Sequence, residues 1–324
     1  MKALLPKDRL DSLLIRLSHR LDVVAPISIE GATFFVSWQG QPLALDANPS
    51  TPATEFLLPN REVLFKYIQE SGRYTFEEVP AKPRFIFGIR PCDLKAISVL
   101  DKIFGSQPSD HPYLERRNAT ILAALNCVRP SEQCFCAPMG SGPEALDGFD
   151  LLFTELDEGY LVETGSPAGI LILKDNPDLF LEANDGHESE KLKILKAARN
   201  AVRSDRSPEK IRGAIEKADW QSIGKECMRC GGCSFVCPVC HCFNMLDLGV
   251  PDGQRMRCRD SCILSGFTRM SGGDPRKTQG DRIRNWYMDK FFYIPENTGL
   301  LGCVGCGRCS KVCLLGGDRW ALEA

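Results

Sequence analysis

The chain has 324 residues, enough for two domains at the usual size of about 150 residues each. Hydrophobic residues make up 43% and charged residues 25%, which excludes a disordered or collagen-like chain. Forty basic against 42 acidic residues leave a net charge of −2, so nothing global points to nucleic acid or an anionic membrane.

The N-terminus, MKALLPKDRLDSLLIRLSHRL, is broken by charges and has no small-residue cleavage site, so it reads as an amphipathic helix rather than an export signal. Pro6 falls near the first turn, and Leu10, Leu13, Leu14, Leu17 and Leu21 form one apolar stripe. ATFFVSW (32–38) predicts a strand. RFIFGIR (84–90) predicts a buried strand followed by a helix over 93–104, and ATILAALN (119–126) a second buried strand. DLLFTEL and GYLVETG (150–165) read as a hairpin around Asp157, Glu158 and Gly159. Strand, helix, strand in this order implies an α/β unit with a partly parallel sheet. From 188 to about 217 the chain is charged and helical, with a break near Pro208. We expect a 1–187 α/β domain and a 188–324 helical, ferredoxin-like domain. No run of about 18 apolar residues exists, so no membrane span is expected.

The chain holds 16 cysteines. Twelve fall between Cys227 and Cys313 in tight spacing, which favours metal over disulfides and a reducing, cytoplasmic setting. Cys227, Cys230, Cys233 and Cys237 make a C-x2-C-x2-C-x3-C run that recurs as Cys303, Cys306, Cys309 and Cys313. This is the bacterial ferredoxin spacing, in which the fourth cysteine serves the other cluster. Two 4Fe–4S clusters are expected: one on Cys227, Cys230, Cys233 and Cys313, the other on Cys303, Cys306, Cys309 and Cys237. Zinc ribbons use two separated knuckles instead of such a run. Leu314 stands where a second proline would follow.

A long insert, 238–302, separates the two runs and carries Cys240, Cys242, Cys258 and Cys262. These four could hold a further centre or be buried, unligated thiols; His241 beside them is an alternative ligand or a hydrogen-bonding residue. The insert also has a basic run, Arg255, Arg257, Arg259, Arg269, Arg276, Lys277, Arg282 and Arg284. It reads as a solvated face, a docking surface for an acidic partner, or a tuner of cluster potential. Trp286, Tyr287, Phe291, Phe292 and Tyr293 read as core or subunit interface, so no nucleic acid is expected. In the N-terminal domain, Cys92 and Cys127 each follow a predicted strand. If those strands are parallel neighbours, both thiols emerge at one carboxyl edge, where Cys134 and Cys136 of the next loop can join them. The readings are an iron–sulfur cluster, structural zinc, or isolated thiols. No Gly-rich dinucleotide turn follows any predicted strand.

GIRPCDLKAI (88–97), NC at 126–127, CFCAPMGSGP (134–143), CMRCGGCSFVCPVCHCF (227–243), RDSC (259–262), TRMSGGDPR (268–276) and CVGCGRCSKVC (303–313) occur in that order. Together they resemble the iron–sulfur β subunit of cytosolic sulfhydrogenases, the iron–sulfur subunit of anaerobic sulfite reductase, and related heterodisulfide-reductase-associated subunits. The resemblance implies an electron-transfer subunit within a multisubunit complex. Electrons would pass between a flavoprotein NAD(P)H-binding subunit and a catalytic subunit such as a hydrogenase, sulfite reductase or heterodisulfide reductase. Arg259 departs from the aromatic expected before Asp-Ser-Cys, and Cys258 is additional. The alternative is a reductase in its own right, acting on a disulfide or sulfur species at a non-standard iron–sulfur centre.

Overall fold

The computed structural model describes residues 1–316. Its strands are β1 (Lys2–Pro6), β2 (Asp22–Ile29), β3 (Ala32–Ser37), β4 (Arg61–Glu70), β5 (Arg73–Glu78), β6 (Arg84–Ile89), β7 (Thr120–Leu125), β8 (Leu151–Glu155), β9 (Gly159–Thr164), β10 (Leu181–Glu182), β11 (Phe243–Leu248) and β12 (Gly253–Arg259). Eight of them form one sheet in the order β10-β1-β9-β8-β7-β6-β2-β3. The centre, β2-β6-β7-β8, is parallel and the flanks are antiparallel, so the sheet is partly parallel as expected.

The parallel strands are near-continuous apolar runs because both faces are covered. Phe85 and Phe87 of β6 pack with Leu13 and Leu14 of the helix Leu10–Ser18 on one face. Ile86 and Ile89 pack with Leu100 and Tyr113 on the other. The helices Pro91–Gly105 and His111–Asn118 carry the chain from β6 back to the start of β7. Pro91 opens the first of these, where its missing N–H costs nothing. The N-terminal helix is shorter than its leucine pattern suggests. Residues 2–6 form β1 beside β9, and the helix starts only at Leu10; an apolar ALLP segment next to a free sheet edge is better satisfied as a strand.

The insert differs from the expected helical domain. Its residues 243–259 form the hairpin β11–β12, and β12 pairs antiparallel with β4, giving a second sheet in the order β11-β12-β4-β5. The boundary expected at 187 falls inside the helix Asp185–Ala201, which packs on β9 through the buried pair Lys191–Glu163. The region's charge suggests a connection because a salt-bridged helix face and a solvated linker share a composition. A third core gathers the ferredoxin-type segments with Cys92, Ala96, Val99, Phe135 and Met139 of the N-terminal part. It also takes in Trp286, Tyr287 and Phe291, with Phe292 packed against it, in line with the core reading, whereas Tyr293 is exposed.

Candidate metal centres

The two ferredoxin-type runs repeat the same backbone. Gly231 and Gly307 each take the left-handed conformation, at φ 72° and 73°, and each is followed by a one-turn helix, Gly232–Phe235 and Arg308–Val312. Each of those turns leads directly to the fourth cysteine of its run. Cys227, Cys230 and Cys233 line a small cavity with Cys313 of the other run. The thiols of Cys303, Cys306 and Cys309 all lie in the field of Cys237. A second cavity, lined by Cys233, Cys313 and Cys309 together with Trp286 and Tyr287, joins the two groups.

Burial pushes the Cys233 and Cys306 thiols up to about 12, and neighbouring thiols, Cys227 and Cys237 among them, add to the rise. Packed thiols that oppose one another's ionisation become thiolates only around a positive centre. Among the described residues, no three Cys, His, Asp or Glu side chains converge closely enough to hold a single ion. In a zinc site all four sulfurs sit about 2.3 Å from one metal. The repeated C-x2-C-x2-C-x3-C spacing suits a cluster of several irons instead.

The N-terminal cysteines also meet. β6 and β7 are parallel neighbours, so Cys92 and Cys127 leave the sheet at the same edge. Cys92 sits in the first turn of the helix Pro91–Gly105, one residue inside its start. Cys136 is pushed up to about 12 by burial, then by Cys134 and Cys127, and Cys92 is raised by burial and lies in the field of Cys136. The Cys134–Cys136 loop packs directly on the second ferredoxin run. The Phe135 amide donates to the Gly305 carbonyl at 2.8 Å, and the Ser141 hydroxyl to the Val304 carbonyl at 2.5 Å. A Cβ on Gly305 would lie 2.5 Å from the Phe135 carbonyl oxygen, so this approach requires glycine. The Cys134 thiol reaches the Cys306 carbonyl at 3.7 Å.

In the insert, Cys240, Cys242 and Cys262 come together while Cys258 stands on β12, opposite Asn244 and Arg61. The Cys240 thiol is beside Cys237, and the ammonium of Lys290 lies 3.1 Å from the Cys237 sulfur and 3.4 Å from that of Cys240. Burial opposes the charge on Lys290, yet those sulfurs and Asp289 hold it charged, well above the usual range. His241 is beside the Val239 carbonyl at 3.1 Å.

The 4Fe–4S dicluster domain family matches residues 226–316. Over 270 residues the chain is 33% identical to sulfhydrogenase 2 subunit beta of Pyrococcus furiosus, an alignment that covers 81% of this chain and 78% of that relative. The chain belongs to the sulfhydrogenase β-subunit family. It is an iron–sulfur protein of electron-transfer type with a ferredoxin-like dicluster domain, and among its described residues no helix is long and apolar enough to cross a membrane.

Within this β-subunit fold the basic run of the insert divides: Arg255, Arg269, Lys277 and Arg284 are exposed, in keeping with a solvated or docking face, whereas Arg257 and Arg282 are buried. Arg257 is buried against Glu62 and Asp110, and Arg282 against Asp274. Arg259 donates to the carbonyls of Ser234 at 3.2 Å and Cys237 at 2.9 Å, closing the short helix that carries Cys233. On the exposed side, Arg255 pairs with Asp247 at 2.7 Å. Sequence reasoning missed Arg308, whose guanidinium binds Asp93 at 2.5 and 2.8 Å in full burial and donates to the Pro49 carbonyl at 2.7 Å. Its signal was an arginine inside a cysteine run and an aspartate directly after Cys92. Lys290 gave no signal, since a lysine in MDKFF reads as exposed.

Proposed function

We propose that this subunit relays electrons through three iron–sulfur centres. Cys227, Cys230, Cys233 and Cys313 would hold the first, and Cys303, Cys306, Cys309 and Cys237 the second. Cys92, Cys127, Cys134 and Cys136 would hold the third at the edge of the large sheet. The observation that carries this reading is contiguity: Cys134 reaches the Cys306 carbonyl on one side of the second group, and Cys309 shares a cavity with Cys233 and Cys313 on the other. The clusters supply one-electron chemistry at potentials that surrounding charges and hydrogen bonds set.

The chain's own residues bury, space and bias the centres. The Arg229 amide donates to the Cys227 sulfur at 3.3 Å and the Gln279 amide at 3.5 Å, while Lys290 and Arg308 place buried cations beside the second group. Such contacts stabilise the more negative, reduced state and raise the potential. Cys230 is exposed, with Met228 and Leu314 exposed around the same cavity. This apolar rim is the face where a partner protein would exchange electrons with the first centre. The name of its relative supports a place inside a sulfhydrogenase-type complex; in this proposal a flavoprotein that handles NAD(P)H feeds the chain and a catalytic subunit receives its electrons, in the cytoplasm.

Reconstitution tests the reading. The anaerobic chain alone should hold about twelve irons with matching sulfide, from three four-iron centres, accept electrons from dithionite, and leave NAD(P)H unoxidised. Adding the flavoprotein should confer NAD(P)H-dependent cluster reduction. Zinc without acid-labile sulfide, or NAD(P)H turnover by the lone chain, would overturn it.

A further inference from the structure

The two ferredoxin-type runs share a backbone turn and carry different side chains on it. The residue before the second cysteine is left-handed in both, Arg229 and Gly305 each at φ 60°. Glycine adopts that conformation freely, whereas a side chain is strained there. In the second run the Phe135 backbone packs against the position and demands glycine. In the first run the position is open to solvent, and an arginine stands there against its conformational preference. The residue before it repeats the contrast: Val304 is 3% exposed, Met228 61%.

Met228 lines one cavity with Val312 and Leu314, both exposed, beside the exposed Cys230. Cations surround this apolar spot. Lys225 precedes the run, Arg229 lies within it, and Lys311 adjoins Val312. Lys277 stands two residues before Gln279, whose amide reaches the Cys227 sulfur at 3.5 Å. All four are exposed, with no ion-pair partner among the described residues. Exposed cations such as Lys2, Arg16 and Arg255 sit instead in pairs, with Glu188, Asp178 and Asp247. Counter-charge near Cys230 is sparse. Glu226 is exposed, but Asp274 is held by Thr268 at 2.7 Å and by Arg282 at 2.8 Å.

We propose that this face docks an acidic redox protein, whose carboxylates meet Lys225, Arg229, Lys277 and Lys311 around an apolar spot that covers Met228 and Leu314. The inference takes the relay reading as its premise and adds the chemistry of the partner at the first centre. Opposite charges around a rim steer encounter and fix orientation, while an apolar centre excludes water. Methionine suits such a centre because its unbranched thioether adapts to the opposing surface. The strained Arg229 fits the same purpose: its side chain meets no ion-pair partner within the chain and is available to one outside it. Methionine and leucine at the centre, in place of an aromatic stacking platform, favour protein over nucleic acid.

The test uses the complex as it assembles, purified through an affinity tag on this chain. A carbodiimide joins an ammonium directly to a neighbouring carboxylate, and peptide mapping should place Lys225, Lys277 or Lys311 on an Asp or Glu of another subunit. That subunit, isolated, should bind the cluster-loaded Lys225→Glu/Lys311→Glu chain about tenfold more weakly than the wild type at about 50 mM salt, and the gap should close at about 500 mM, where charge is screened. A Lys66→Glu/Arg73→Glu chain, altered on the exposed part of the second sheet, should bind like the wild type. Arg229→Gly separates binding from folding: it relieves the left-handed strain, so the unfolding midpoint should hold or rise while affinity falls about threefold. Cross-links confined to other lysines, with Lys225 and Lys311 still open to acetylation in the complex, would overturn the proposal. So would wild-type affinity in the Lys225→Glu/Lys311→Glu chain, or a wild type that binds duplex DNA or anionic vesicles through these same lysines. A wild type that binds its partner as described but holds no iron on Cys227, Cys230, Cys233 and Cys313 would sink the relay reading and leave the docking face standing.

Discussion

The dicluster region and the edge of the large sheet both gather four-thiol groups, by opposite means. In the dicluster region the spacing is local: each run delivers three thiols within seven residues, and a left-handed glycine with a one-turn helix leads to the fourth. At the sheet edge the thiols come from two strand ends and a loop, brought together only because β6 and β7 run parallel side by side. A local motif assembles its site wherever the chain folds; a topological one depends on the whole sheet and on whatever braces its edge. Here the brace is the second ferredoxin run itself, through Arg308–Asp93 and the Phe135–Gly305 contact.

The largest expected effect separates the two groups outright. Cys136→Ser should remove the sheet-edge centre, about four irons per chain, and leave the EPR signals of the dicluster in place. Parallel loss of dicluster iron would mean the two regions are loaded as one unit.

Arg308→Met strikes the brace. It leaves Asp93 buried without its cation, and removing one partner of such a pair costs about 3–5 kcal/mol. Chemical denaturation should record that loss, with the neighbouring Cys92 becoming reactive to alkylation first. A smaller effect is expected from Gly305→Ala, which sets a methyl against the Phe135 carbonyl at φ +60° and should cost about 1–3 kcal/mol. Its signature is a change in the sheet-edge EPR signal with iron content retained. The smallest comes from the helix His111–Asn118, packed beside the helix that carries Cys92. Tyr113→Phe loses the 2.7 Å bond to Asp101, worth about 1 kcal/mol, and should leave every cluster signal unchanged.

The same contrast governs what could be read from the sequence. The repeated C-x2-C-x2-C-x3-C runs were legible at once because their geometry is fixed by neighbours a few residues apart. RFIFGIR and ATILAALN were legible as strands because burial on both faces leaves an unbroken apolar run, and their parallel pairing followed from the helix between them. β1 was lost inside a leucine-rich stretch whose helical period begins only at Leu10. The hairpins β4–β5 and β11–β12 were missed because their strands are largely exposed, with polar and apolar residues mixed on a face that covers no deep core. The burial of Arg257 and Arg282 was not legible, and Lys290 went unread, for one reason: their partners Glu62, Asp274 and Cys237 are supplied by the fold, and a charge in sequence does not announce its counter-ion.

The second sheet has a consequence for how the chain acquires its structure. Arg61 of β4 finds its partner at Cys258 of β12, so the early hairpin waits for nearly the whole polypeptide before its open edge is covered. Pairings of such long sequence separation form late and slowly. Until then β4 offers a row of unsatisfied backbone groups to any passing strand. The insert between the two ferredoxin runs closes that edge, and it can do so only after the first run has been synthesised. The order in which the chain leaves the ribosome thus makes the strand that covers β4 in the second sheet available before the second run's cysteines exist.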